Sequence, residues 1–308
     1  MLSLPELHLR AAFLRLVRSF FFGSGFLEVD TPLRQPVIIP ERNIAPLQSG
    51  HWFLQASPEL CMKRLLAAGC EKIFQICPCF RAEERGRLHL EEFTMLEWYR
   101  TGADYRDLMA DCEAFLRYME ENFRMEFSDH RSSLGKSLFY GAEAIDLTGV
   151  WERLTVAEAF SRYSPVTLEQ ALETDRFEET LVENIEPHLG MEAPVFLCDY
   201  PAPLGSLAKL KSNNPEVAER FELYLAGIEL ANGFSELTDS REQRQRFNDE
   251  LKYIQENGGK GGMPEHFLQA LDNLDRAAGI ALGLDRLLML LLGKNNLSEA
   301  VTFAPSDL

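Results

Sequence analysis

The sequence predicts an α+β chain, and three observations predict it. Residues 72–81 and 92–99 are β-prone and flank a loop crowded with charge, which reads as an antiparallel hairpin with a long functional loop. In residues 219–239, Phe221, Leu223, Leu225, Ile228 and Leu230 alternate with polar residues about Ala226-Gly227, which reads as strand, turn, strand. Elsewhere apolar residues recur at three and four, the helical period; Leu9, Phe13, Leu16, Val17, Phe20 and Phe21 form one such stripe.

The chain has 308 residues, 46% hydrophobic and 26% charged, enough for one large or two smaller domains with a real core. Its formal net charge of −17 repels phosphate backbones at long range, so general nucleic-acid binding is not expected without a basic patch. The sequence has no such patch: its basic residues are scattered or interleaved with acids, as in 241–246. Six cysteines lack the paired spacing of a zinc site and read as structural thiols, Cys77 and Cys79 on one strand face. No signal-peptide pattern opens the chain, and the longest apolar run, 287–292, is too short for a bilayer. A reducing cytoplasm and no membrane are the expectations.

Ser3-Leu4-Pro5-Glu6 has capping-box spacing with proline near the first helical position, and Gly23 is placed to end the helix it starts. Residues 26–32 are extended and close on Pro32, which suits an edge strand; helix and strand together offer a dimer surface or a packed core face. A short strand at 52–56 leads to Ser57-Pro58-Glu59 at the mouth of a helix, where a hydroxyl and a carboxylate serve as caps or as ligands. Helices are expected over 104–123 and 155–163. Residues 164–192 are acidic and only weakly periodic, a peripheral insertion within a single domain spanning 1–308. A strand at 194–201, an exposed loop at 203–215 and a charged helix at 241–256 follow. The Gly-rich run 258–262 lacks the Ser or Thr of a phosphate loop and reads as a connector.

Chemistry concentrates at three places. In the hairpin, Arg81 and Glu83 are two apart and share a face if the chain stays extended, while Glu92, Phe93, Glu97 and Tyr99 stand on the returning strand. Guanidinium, carboxylate and ring are what holds a nucleotide: a phosphate, an exocyclic amine and a base face. Glu229 and Glu236 bracket Asn232-Gly233, and acids in strands ask for a cation or sit solvated at an edge. In 279–286, Gly279, Ala281 and Gly283 leave one strand face bare for a flat ligand. Asp285 can cap the next helix, and Arg286, opposing the dipole, needs a local anion.

These pieces, the helix and strand ending in Pro32, Phe80-Arg81-x-Glu83, and Gly279-x-Ala-x-Gly-x-Asp-Arg286, resemble motifs 1, 2 and 3 of the class II aminoacyl-tRNA synthetases. SPELCMKRLLAAGCEKIFQI, EEFTMLEWYR and ERFELYLAGIELANGFSELTD are similar to a lysyl-tRNA synthetase catalytic domain, and the similarity covers nearly the whole chain apart from 164–192. Motif 1 opens the sequence, so no anticodon-binding domain is expected ahead of it, and tRNA is not an expected partner. Ser57 and Ala281 stand where lysyl synthetases carry Ala and Gly. Both match the elongation factor P lysine ligase family, of which the chain is identified as a member.

The resemblance implies the class II catalytic fold, an antiparallel sheet flanked by helices, and a homodimer across the first helix and strand. It implies ATP and Mg²⁺ as cofactors, with (R)-β-lysine or lysine as substrate and elongation factor P as acceptor. Arg81 then holds the α-phosphate, Glu83 the adenine amine, and Phe93 and Arg286 sandwich the adenine, with Gly283, Glu229 and Leu230 completing the ATP site. Glu229 and Glu236 organise the metal. Ser57, Pro58, Glu59, Tyr99, Ala281 and Glu236 form the amino-acid pocket, and Arg81, Arg286 and Glu236 are the catalytic set. Two departures stand out: Ala82 and Leu90 replace the usual Asn residues, with Glu91 or a water as a substitute for the second. The alternatives are a stand-alone lysyl-adenylate enzyme acting on tRNA or a small acceptor, and a non-catalytic amino-acid-binding regulator.

Overall fold

The first helix, α1 (Leu4–Gly23), begins as its capping box requires: Glu6 reaches back to accept from the Ser3 amide at 2.9 Å and the Ser3 hydroxyl at 2.7 Å. Gly25, at φ +77°, turns the chain into the two-residue edge strand β1 (Leu27–Glu28). This computed structural model describes residues 1–126, 137–140 and 143–308. A small sheet follows from β2 (Arg34–Gln35), β3 (Gln48–Ser49) and β4 (Trp52–Leu54), and then α2 (Glu59–Ala67). The charged hairpin is β5 (Lys72–Phe80) and β6 (Glu92–Thr101), paired from Lys72↔Arg100 to Phe80↔Glu92.

Next come α3 (Tyr105–Glu126), the hairpin β7 (Ser137–Tyr140) and β8 (Glu143–Asp146), β9 (Glu152–Thr155) and α4 (Val156–Tyr163). The 164–192 segment forms α5 (Leu168–Glu173), α6 (Phe177–Thr180) and two short irregular turns. It adds Phe177, Leu181, Ile185 and Leu189 to a satellite core that includes Phe160 and Leu197. After β10 (Val195–Pro201), the expected exposed loop is partly built in: Leu207 and Ala208 are buried, followed by β11 (Leu210–Lys211) and the start of β12 (Asn214–Leu225). Leu207 packs with Phe247 and Phe267, and that apolar burial holds the segment down. The β12 turn to β13 (Ile228–Ser235) runs through Ala226 at φ +55° and Gly227 at φ +70°, the two positive values of a tight hairpin turn. The chain ends through α7 (Ser240–Glu256), α8 (Glu265–Leu271), β14 (Ala277–Gly283) and α9 (Leu284–Leu291).

The large sheet runs β1-β5-β6-β14-β13-β12-β10-β9, with β11 on β12. It is antiparallel except where β1 joins β5 and β9 joins β10. Alternation along β6 sorts its two faces. Leu96 and Trp98 join the main core with α1, α3 and α9, whereas Glu97 and Tyr99 point to the opposite side, where α2, α7 and α8 cover only part of the sheet. The uncovered part is where a ligand can enter. Among the described residues no helix is long and apolar enough to cross a membrane.

The seam between α1 and the sheet is aromatic. The Phe21 ring stacks on Phe74 with centroids 4.8 Å apart and meets Trp98 at 5.2 Å, all three fully buried or nearly so. Phe74→Ala is therefore expected to cost about 3–5 kcal/mol in urea unfolding. A loss under about 1 kcal/mol would show that the seam can collapse onto the gap.

Candidate active site

A cavity of ≈ 630 Å³ opens on the partly covered sheet face. Of the residues singled out from sequence, Arg81, Phe93, Glu229, Leu230, Gly283, Arg286, Ser57, Glu59, Tyr99 and Ala281 line it; Pro58, Glu83 and Glu236 do not.

At one end, Arg286 emerges from the first turn of α9. Its Nη1 donates to the Glu229 carbonyl at 2.7 Å and lies 3.3 Å from Glu229 Oε2; its Nη2 lies 2.9 Å from His89 Nε2. Glu229 is thus the local anion the arginine was expected to need. Simple alternation would not aim Glu229 and Asn232 the same way. The register passes from Leu223↔Ala231 to Tyr224↔Glu229, so Leu230 is an extra residue, and this bulge puts both side chains on the cavity. Arg81 lies 5.3 Å over the Phe93 ring.

Three expectations at this end need correction. β5 stops at Phe80, so Arg81 and Glu83 do not share a strand face; Glu83 takes φ +68° in an exposed turn, and Glu84 lines the cavity instead. Asp285 is not the helix cap. Gly283 holds that position, and Asp285 is buried, accepting from the Thr94 amide at 2.6 Å and pairing with Arg10 at 2.7 Å. Glu91 does not stand in for an asparagine: it receives Arg85 at 2.8 Å and the Glu83 amide at 2.9 Å, off the cavity, while Leu90 is packed into the wall.

The other end is a buried acidic nest. Ser57 Oγ donates to Glu97 Oε1 and Tyr99 Oη to Glu97 Oε2, each at 2.6 Å; Ser57 Oγ in turn accepts from the Glu59 amide at 3.1 Å. The Lys63 ammonium, fully buried, pairs with both Glu59 and Glu236. A Cβ on Gly279 would fall 2.1 Å from Tyr99 Cε1, so the bare strand face expected to receive a ligand is filled here by the Tyr99 ring. At Gly283 no atom comes nearer than 3.7 Å, and the face stays open.

Glu236 is 2% exposed and sits behind this wall, its Oε2 held by Lys63. The expected metal-gripping pair is therefore not brought together on the cavity surface, where Glu229 stands without it. Among the described residues no group of three or more His, Cys, Asp or Glu is arranged to hold a metal.

Burial, then the neighbouring Glu59 charge, pushes Glu97 up to about 7, against its hydrogen bonds from Ser57 and Tyr99. Burial likewise pushes Glu236 up to about 8 despite Lys63. Three carboxylates around one lysine therefore hold on to protons, which a cationic ligand would displace. Sequence reasoning passed over Lys63, and it named Glu97 on the returning strand without giving it a place in the amino-acid pocket. Glu97 was visible as a same-face neighbour of Phe93 and Tyr99, whereas nothing in a helical Lys63 announces a buried charge.

The sequence model of the family described as tRNA synthetases class II (D, K and N) matches residues 4–307. The chain belongs to this class II synthetase family. Within it, the chain is 37% identical over 318 residues to a protein of Salmonella arizonae named elongation factor P (R)-β-lysine ligase, covering 98% of this chain and 95% of that one. Proteins of the same name from Salmonella gallinarum and Salmonella dublin are 38% and 37% identical with the same coverage. The arginines that carry the class II resemblance, Arg81 and Arg286, meet in one cavity with the acidic nest.

A cationic ligand selects ionised Glu97, so at pH 6.5 binding must expel a proton from a group near 7, and by pH 8.5 it need not. Amino-acid affinity is expected to rise as pH climbs from 6 through 7 and then to level off. Calorimetry in buffers of different ionisation enthalpy would measure the proton released, and Glu97→Gln should remove the release and the rise in affinity centred near pH 7. An affinity flat from pH 6 to 8 in the unmutated protein would contradict the assignment.

Proposed function

We propose that this chain is an AMP-forming ligase that activates (R)-β-lysine, or lysine, with ATP and transfers it to a lysine side chain of elongation factor P. The observation that carries the reading is the cavity itself, in which Arg81 and Arg286 at one end and the Glu59 and Glu97 carboxylates at the other match an anionic nucleotide beside a cationic diamine. The name of its Salmonella relatives supplies the acceptor.

In the first step the substrate carboxylate attacks the α-phosphorus and pyrophosphate leaves; Arg81 stabilises the charge growing on the phosphate oxygens. Arg286 and Phe93 hold the nucleotide base, while Glu97, Tyr99 and Glu59 hold the diamine. In the second step the neutral acceptor amine attacks the mixed anhydride and AMP leaves. No protein nucleophile is needed. Glu229, on the cavity wall, would hold a Mg²⁺ ion beside the nucleotide phosphates, and the ion would neutralise charge on the departing pyrophosphate. Glu236, engaged by Lys63, backs the pocket instead.

The amino-acid end also supports a preference for the β isomer. The amines of β-lysine are one carbon closer together than those of α-lysine. Ala281 stands opposite Glu97 in the β6–β14 register, where its methyl shortens the cavity. A homodimer is supported by Phe22, Leu27 and Trp52, large apolar side chains left exposed along α1, β1 and β4. Six unpaired cysteines suit a cytoplasmic home. A net charge of −17 argues against tRNA as the acceptor.

Intact-mass spectrometry of elongation factor P incubated with the protein, ATP and either lysine isomer tests acceptor and substrate together. A gain of one lysyl mass, faster with the β isomer, is expected; an unmodified acceptor with both isomers would refute the proposal. Ala281→Gly should shift the isomer preference toward α-lysine by roughly tenfold, the scale of one methylene in a closed pocket. An unchanged ratio would remove Ala281 from the specificity argument.

A further inference from the structure

The ladder between β6 and β14 ends at Gly283↔Met95, because β14 gives way to α9 at the next residue. The Thr94 amide therefore has no strand partner at that point, and Asp285 Oδ2 takes it at 2.6 Å. Asp285 Oδ1 is held by Arg10 Nη1 at 2.7 Å. The same Nη1 donates to the Ala300 carbonyl at 2.8 Å, and Nη2 donates to Thr94 Oγ1 at 3.0 Å. One guanidinium from α1 thus ties β6, α9 and the C-terminal turn at a single point, with the Arg10 side chain 14% and the Asp285 side chain 3% exposed.

The chain neighbours of this knot are the two residues expected to hold the base. Phe93 precedes Thr94 on β6, Arg286 follows Asp285 on α9, and all four line the cavity, which Arg10 itself does not reach, so Arg10→Lys is the variant that acts from outside it. We infer that Arg10 is a positioning residue for nucleotide binding: through Thr94 and Asp285 it sets the separation of the Phe93 ring and the Arg286 guanidinium. A planar base needs a slot of one ring thickness, and a shift of a few tenths of an ångström on either wall opens or closes it. The forked contact also explains why an arginine is used. A lysine has three donors but only one nitrogen, so it cannot span the Ala300 carbonyl and Thr94 Oγ1, which Arg10 meets with separate nitrogens, while staying against Asp285. The opposite end of the cavity has no contact with the knot, so the diamine site is expected to be untouched.

This inference rests on the nucleotide reading of the site. Its test is the dissociation constant for ATP, measured by calorimetry on the full chain, with lysine binding as the internal control. Arg10→Lys and Asp285→Asn, each first confirmed as folded by thermal unfolding, are expected to weaken ATP about tenfold, the scale found when a supporting partner of a binding group is removed. Lysine affinity is expected to stay within about twofold, a split that a general loss of structure would not produce. Thr94→Val, which removes only the hydroxyl contact, covers the case in which a charged-pair variant does not fold, and is expected to weaken ATP by a smaller factor with the same split. ATP affinity equal to that of the unmutated protein in the folded variants, or equal loss of ATP and lysine, overturns the inference. An unmutated protein that binds ATP but never modifies elongation factor P overturns the proposed function alone, and the ATP affinities still judge Arg10.

Discussion

The pairing of β6 with β14 is the constraint from which the site follows. Residues 180 to 188 positions apart in the chain are locked face to face, Tyr99 opposite Gly279, Glu97 opposite Ala281 and Met95 opposite Gly283. Only glycine at 279 leaves space for the Tyr99 ring, and that ring in turn carries the hydroxyl that orients Glu97. Slide the register by one residue and every one of these side chains would turn into the helical core. The aromatic seam of Phe21, Phe74 and Trp98 on the opposite face resists that slip, since it would have to be exposed.

The acidic nest shows how a protein keeps charge inside. Glu59, Glu97 and Glu236 could not all be ionised in a dry wall, and each has a different remedy: a shared buried ammonium for Glu59 and Glu236, two hydroxyl donors for Glu97. The remedy is incomplete at both Glu236 and Glu97, whose proton affinities stay raised, and of the two only Glu97 lies on the cavity wall where a cationic ligand would meet it. Arginine end and carboxylate end therefore differ in what they lack. This polarity across one cavity, and no single residue, is what distinguishes a nucleotide-plus-diamine site from a generic polar cleft.

Much of this was readable from the chain alone. The α1 capping box, the 72–101 hairpin, the turn at Ala226-Gly227 and the helix after Asp239 are local matters of spacing, caps and positive-φ residues, and they stand where the sequence puts them. That Arg81, Phe93, Tyr99, Glu229 and Arg286 would line one cavity was legible because motif order carries information beyond any one spacing. Glu83 was misplaced because strand alternation was extended past Phe80, where the loop already bends. Asp285 looked like a cap because aspartate near a helix start usually is one; here a long-range arginine claims it.

What the sequence determined by itself was therefore the inventory: which segments are strands or helices, which faces are apolar, and which charged residues are too costly to be idle. The tertiary structure alone decided which of those charges meet. A bulge at Leu230 turns Glu229 toward the cavity, and Lys63 withdraws Glu236 from it. Arg10 reaches from the first helix to the last. Local pattern is set by interactions a few residues apart, whereas the partner of a buried charge is chosen by whatever the fold brings within about 3 Å, and no spacing rule encodes that distance.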